Sequence, residues 1–118
     1  MTATRPNKKT TLKPVKGTDP QTIAIEGVFN YLFDLILRKN YDYGSNVFSP
    51  PVLNPTSTAE STILTRLSDK FARLQNILRR DSMVADETLE DTIADIAGYC
   101  ILFLSNRRLN QSESEATK

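Results

Sequence analysis

Residues 57–108 read STAESTILTRLSDKFARLQNILRRDSMVADETLEDTIADIAGYCILFLSNRR. Apolar residues recur in this stretch at the three-and-four spacing of a helix face, twice over. The first run, from about 58 to 80, carries Ile63, Leu64, Leu67, Phe71, Leu74, Ile77 and Leu78. The second, from about 86 to 108, carries Leu89, Ile93, Ile96, Ala97, Cys100, Ile101 and Leu104. Residues 81–85 break the pattern. The spacing predicts two amphipathic helices joined by a short acidic break, and hence an all-α fold. The first helix is basic, with Arg66, Lys70, Arg73, Arg79 and Arg80 against Glu60 and Asp69. The second begins acidic, with Asp86, Glu87, Glu90, Asp91 and Asp95 and no cation before Arg107.

The polar flanks admit two readings each. Arg66, Asp69 and Arg73 lie together, away from the Leu67–Leu74–Leu78 stripe. Asp69 and Arg73 are spaced for a surface ion pair, worth only ~0.3–0.5 kcal/mol. Alternatively Arg66, Lys70 and Arg73 hold phosphates, with Asp69 orienting one of them. On the acidic helix, Asp86 reads as the N-cap, and Glu87 and Glu90 suit the positive end of the helix dipole. Asp91 and Asp95 lie deeper, one turn apart, opposite the Ile93–Ala97–Cys100–Leu104 stripe. Residues 99–104 are apolar nearly all round, so this helix is expected to be covered on several sides. That places Asp91 and Asp95 at the rim of a covered region. Grouped carboxylates there are candidate ligands for a hard cation, most naturally Mg²⁺; a solvated face is the plain alternative.

Upstream lies SNVFSPPVLNPTS, residues 45–57. Pro50, Pro51 and Pro55 exclude a helix. Phe48, Val52 and Leu53 predict a loop that packs down as a lid, a pocket wall or a crossover. Before it, Asp19-Pro20 is a helix start. The helix is expected to run to Arg38 or Lys39 on a stripe of Ile25, Val28, Phe29, Leu32, Leu35 and Ile36, widened by Tyr31 and Phe33. Glu26 and Asp34 are its only acids. The stretch 39–44, Lys-Asn-Tyr-Asp-Tyr-Gly, closes it, with Gly44 able to take a positive φ. Asp42 suits backbone N–H groups or an ion. Tyr41 and Tyr43 suit either packing or stacking on a base. Residues 1–18 form a polar basic arm and 109–118 a polar, disordered tail. The domain is thus 19–108, a bundle of three main helices with a proline-rich loop between the first two.

With 118 residues the chain fits one domain. The ~80 that look foldable make a marginal core, so a homo-oligomer is expected. A net charge of +1 gives no general bias towards nucleic acid. The single cysteine, Cys100, in an apolar run reads as buried and unpaired, which suits a reducing cytoplasm. Nothing resembles a signal peptide, and no apolar run approaches the ~20 residues of a membrane span. The absence of histidine removes histidine acid–base chemistry and the usual zinc sites.

Three stretches occur in order: Lys39-Asn40-Tyr41-Asp42-Tyr43-Gly44, then residues 67–74 (LSDKFARL), then residues 87–99 (ETLEDTIADIAGY). Together they resemble the nucleotide modification associated domain 1 family, small and mostly phage-borne helical proteins. Its members show a similar Asp-Tyr-Gly, a similar Asp-Lys-x-x-Arg-Leu and a similar Glu-(Ser/Thr)-x-x-Asp-Thr-x-x-Asp-Leu-Ala-x-Tyr. The likeness covers roughly residues 25–105. The last motif is also similar to part of the MazG-like all-α nucleotide pyrophosphatases, which hold Mg²⁺ on paired acids of two helices. That resemblance implies Glu87, Glu90, Asp91 and Asp95 as one half of a metal site. The first helix has no Glu-x-x-Glu and offers only Glu26 and Asp34.

The resemblance implies nucleotide handling in the cytoplasm, that of the host cell if the protein is phage-encoded. One expectation is an Mg²⁺-dependent pyrophosphohydrolase acting on nucleoside triphosphates. The second is a binder without turnover that sequesters a nucleotide signal of host defence. A third is a helical adaptor with no small ligand. The expected phosphate-binding residues are Arg66, Lys70 and Arg73; the expected pocket residues are Asp42, Tyr43, Asp69 and Tyr99.

Overall fold

The computed structural model describes residue 12 and residues 17–42, 46–79 and 86–116, with the backbone alone at 46, 86–88 and 113–116. Three α-helices appear: α1 (Pro20–Asp42), α2 (Ala59–Arg79) and α3 (Asp86–Ala116), with a 3-10 turn at Asn46–Phe48 before α2. No strand occurs among the described residues, so the all-α expectation holds. None of these helices is long and apolar enough to cross a membrane. The chain forms two compact units, residues 1–30 and 31–118, with the boundary inside α1.

In the first unit Asp19 caps α1 as the Asp-Pro pair predicts. Its carboxylate accepts the Thr22 N–H at 3.1 Å and the Thr22 hydroxyl at 2.7 Å. Its carbonyl accepts the Ile23 N–H at 3.1 Å. A β-carbon added at Gly17 would come within 2.6 Å of the Thr22 hydroxyl oxygen, so a larger residue there would push the Thr22 side chain out of the cap. The bonds from Thr22 hold the Asp19 carboxyl below its ordinary value of 3.8. Ile25, Val28 and Phe29 of the predicted stripe are exposed.

In the second unit α2 and α3 pack closely. Glu60 pairs with Arg107 and Lys70 with Asp95. Rising numbers on α2 meet falling numbers on α3, so the helices are antiparallel. On α2 the inward line is Ile63, Leu67, Lys70, Leu74 and Ile77; Ile63 is fully buried and the others half-buried. On α3 it is Leu89, Thr92, Ile96, Tyr99, Phe103 and Asn106, where Thr92 and Asn106 are buried. Both lines step by three and four residues, the seam of two helices crossing at a small angle.

The expected α3 stripe is therefore rotated. Ile93, Cys100, Ile101 and Leu104 are exposed, and Cys100 is not buried. On α2, Leu64, Phe71 and Leu78 are exposed as well. A helix apolar nearly all round offers two stripes to one periodicity. The structure selects the one that carries a threonine and an asparagine.

The second half of α1 touches α3 near Gly98 and Asp95. A β-carbon on Gly98 would meet Ile36 at 3.8 Å, ordinary van der Waals contact, and Lys39 reaches Asp95 at 3.9 Å. α1 continues past Lys39 to Asp42, and α3 past Arg108 to Ala116, so the stretch expected as a disordered tail is helical as far as Ala116. The proline segment turns at Pro51–Asn54 and Asn54–Ser57 through carbonyl-to-N–H bonds of 3.0 Å. Thr58 caps α2, its hydroxyl accepting the Ser61 N–H at 3.0 Å. Val47, Phe48, Pro51 and Ser57 are half-buried, but Val52 and Leu53 are exposed, so the loop packs down through residues other than two of the three apolar ones expected.

Two outcomes test this architecture. Ile63→Ala should cost about 2–5 kcal/mol in urea unfolding, the usual range for emptying a buried aliphatic site. Gly98→Ala should raise stability by about 0.5–1 kcal/mol, because the added methyl fits and helical glycine is entropically costly. A large loss on Gly98→Ala would contradict the spacing of α1 and α3. The Asp19 cap supplies a pH test. A lowered folded pKa makes the cap fully effective above the ordinary value of 3.8. The contribution is lost as pH falls through the lower, folded value. The helicity difference between wild type and Asp19→Ala, followed by circular dichroism, should thus close on acidification below that window. A difference unchanged down to pH ~2 would refute the cap.

Candidate functional site: the charged flank of the α2–α3 pair

Stepping back one residue from each inward position turns about 100° around either helix. On α3 this leads from Thr92, Ile96 and Tyr99 to Asp91, Asp95 and Gly98. On α2 it leads from Leu67, Lys70 and Leu74 to Arg66, Asp69 and Arg73. Two antiparallel helices that face each other bring equal rotations to the same side. Gly98 and Asp95 meet Ile36 and Lys39, so this is the side where the second half of α1 lies. Two of the expected phosphate-binding residues, Arg66 and Arg73, and two of the expected acids therefore share one flank, with the inward Lys70 at its edge.

Asp95 is the centre of that flank. Its carboxylate takes Lys70 Nζ at 3.0 Å on one oxygen and Lys39 Nζ at 3.9 Å on the other. Its side chain is 32% exposed, that of Lys70 28% and that of Lys39 54%. One carboxylate so draws two ammonium groups, from α1 and α2, to the junction of three helices. Arg66 and Arg73 stand one turn to either side of Lys70, both exposed. Asp69 and Arg73 do not close the ion pair their spacing allows; the Lys70–Asp95 contact between helices forms instead.

The remaining expected residues are spread out. Asp91 is exposed on the same flank, one turn before Asp95. Glu90 follows Leu89 and falls on the other side of the pair, away from Asp91 and Asp95. The Glu87 side chain and Tyr43 lie outside the described residues. Asp42 is exposed in the last turn of α1, and Tyr99 is half-buried in the α2-facing line. Among the described residues no three acidic or sulfur groups converge as a cation site would require. Lys39 was not among the expected site residues. As the last-turn cation of α1, next to the Asp-Tyr-Gly stretch, it was the available signal.

A second feature lies at the other end of the pair. Arg107 Nε donates to Glu60 at 2.6 Å, and its guanidinium sits 5.2 Å from the centre of the Phe103 ring. Beside it, a shallow cleft of about 420 Å³ is lined by Phe48, Pro50, Thr58, Glu60, Asn106 and Asn110. Phe48 and Pro50 of the proline segment line one side of this shallow cleft. Twelve residues separate Asp95 from Arg107, about 18 Å along α3, so cleft and charged flank are distinct places.

No protein-family model, characterised protein or solved structure matches this chain.

The contact at Asp95 is measurable. A double-mutant cycle with Lys70→Ala and Asp95→Ala should give a coupling of ~0.5–1 kcal/mol in low salt, as for a partly exposed pair. In 1 M salt, where screening acts within ~3 Å, the coupling should fall by at least half. A coupling indistinguishable from zero at low salt would remove Asp95 from the centre of the flank.

Proposed function

We propose that this protein binds a phosphorylated nucleotide on the charged flank and holds it without turnover. One observation carries the reading: Lys39 and Lys70 converge on Asp95 while Arg66 and Arg73 flank Lys70. A single carboxylate carries one charge and two oxygens. A di- or triphosphate offers more charge and more acceptor oxygens to the same four cations. Asp95 keeps the lysines gathered in the free protein, so little side-chain ordering remains for the ligand to impose. Phosphates arriving between α1 and α2 would take over the ammonium groups, and the guanidinium forks would add paired hydrogen bonds. The likeness of residues 39–44, 67–74 and 87–99 to nucleotide modification associated proteins points the same way.

Non-catalytic binding is favoured over hydrolysis by the same ion pairs. Asp95 and Asp91 are the acids that would hold Mg²⁺, and the Asp95 oxygens face ammonium groups. That arrangement fits an anion beside the lysines better than a cation on the carboxylate. Sequestration of a nucleotide signal is the role this chemistry suits.

The test is a thermal-shift panel of nucleoside triphosphates, dinucleotides and cyclic oligonucleotides, with and without Mg²⁺, with products read by mass spectrometry. A ligand at ~100 times its Kd should add ~2.7 kcal/mol of stability. It should be recovered intact, and the shift should be lost in Lys70→Ala. Mg²⁺-dependent conversion to a monophosphate, abolished in Asp91→Asn, would replace binding by hydrolysis. No shift with any ligand would overturn the proposal.

A further inference from the structure

Stepping forward one residue from the inward positions leads to the opposite side of the α2–α3 pair, away from the second half of α1. There Ile63, Lys70 and Ile77 give way to Leu64, Phe71 and Leu78. Thr92, Ile96, Tyr99 and Phe103 give way to Ile93, Ala97, Cys100 and Leu104. The same construction that gathers charge on one flank gathers apolar side chains on the other. Leu64 is 46% exposed, Phe71 47%, Leu78 68%, Ile93 47% and Leu104 60%, with Ile101 beside them at 39%. On α2 the uncharged Ser68 and Gln75 alternate with the three apolar residues, and the α3 stripe ends in Glu90 and Arg107; no ionised residue lies between those ends.

We infer that this face is the interface of a symmetric dimer, in which the α2–α3 pairs of two copies stack into a four-helix arrangement. The occupant is argued from area and charge. At roughly 200 Å² for a fully exposed large apolar side chain, the six leave on the order of 600 Å² of apolar surface per copy. A two-fold pair would bury about 1,200 Å² from these side chains alone, the lower edge of stable specific interfaces. A patch of that size is at the upper end of what a soluble monomer presents, where such patches are often functional.

The rim is self-complementary. Arg79 follows Leu78 on α2 and Glu90 follows Leu89 on α3, both exposed at the end of the pair where α2 stops and α3 starts. Arg108, also exposed, edges the face at the opposite end. With the two-fold axis along the helices, Arg79 of one copy meets Glu90 of the other. With the axis across them, Glu90 meets Arg108. Either stacking brings opposite charges together, as a surface that binds itself requires. A chain of net charge +1 adds little repulsion between copies. The charged flank lies on the far side of each pair, so a dimer of this kind carries two outward-facing nucleotide sites.

Sedimentation equilibrium of the full chain across 1–100 µM tests the inference, beside Phe71→Glu and Leu104→Glu variants. Wild type should approach twice the 13.3 kDa chain mass. Each variant should shift the midpoint of association at least tenfold towards higher concentration. Both side chains are about half exposed in the single chain, so monomer helicity should persist. Cys100 supplies a readout that needs no variant. On wild type its alkylation by a maleimide should slow at least fivefold between the dilute and the concentrated protein. A monomer throughout, an association unaffected by both substitutions, or concentration-independent Cys100 labelling would each overturn the interface.

Discussion

The line along which α2 and α3 meet decides which way the other described side chains of these two helices face. Ile63, Leu67, Leu74 and Ile77 face Leu89, Ile96, Tyr99 and Phe103, with Thr92 and Asn106 buried in the same line. Once that line is set, helix geometry leaves no freedom. The residues just before the line fall on one flank and those just after it on the other. One flank collects Arg66, Asp69, Arg73, Asp91 and Asp95. The other collects Leu64, Phe71, Leu78, Ile93, Cys100 and Leu104. Rotating α3 by one residue would turn Ile93, Ala97, Cys100 and Leu104 into the seam and bring Thr92, Ile96 and Tyr99 to the charged flank. The burial of the small polar pair Thr92 and Asn106, with Ile93 and Leu104 exposed, is the structural choice that sets which α3 residues each surface receives.

Energetically the seam is modest. Ile63 is the buried hydrophobic residue among those described, and the ion pairs across the seam and to α1 are partly exposed. Pairs of that kind contribute up to ~1 kcal/mol each. Their weight lies in geometry: Glu60–Arg107 and Lys70–Asp95 fix register at two points along the helices, and Lys39–Asp95 ties α1 to that register. A thinly buried core with a large apolar face left over is the condition under which association completes a fold.

Much of this was legible in the sequence. The Asp19-Pro20 start, the breaks around the proline segment and the charge asymmetry of the last two helices each have a local cause. The structure places the helices where those causes predict. The α2 stripe was half right because Ile63, Leu67, Leu74 and Ile77 are unambiguous. Leu64, Phe71 and Leu78 widen the apolar arc without saying which edge is covered. The α3 stripe was misplaced because residues 99–104 are apolar around most of the helix, and the true seam hides behind Thr92 and Asn106. The helical course beyond Arg108 was missed because its polar residues carry no periodic signal. On the charged flank, spacing grouped Arg66, Asp69 and Arg73 on α2 and Asp91 and Asp95 on α3. Lys39 was not found, since its partnership with Asp95 joins residues far apart in sequence. Glu90 was grouped with Asp91 by adjacency, and adjacency on a helix means separation by about 100°.

The central proposal is that phosphate binds on the charged flank. The direct measurement is the full chain labelled with ¹⁵N and titrated with inorganic pyrophosphate, followed by amide and side-chain shifts. The predicted result is saturable movement centred on Lys39, Arg66, Lys70, Arg73 and Asp95, with Leu64, Phe71 and Leu78 unmoved. Movement confined to Asn106 and Asn110 in the cleft, or no saturable movement at all, would contradict it.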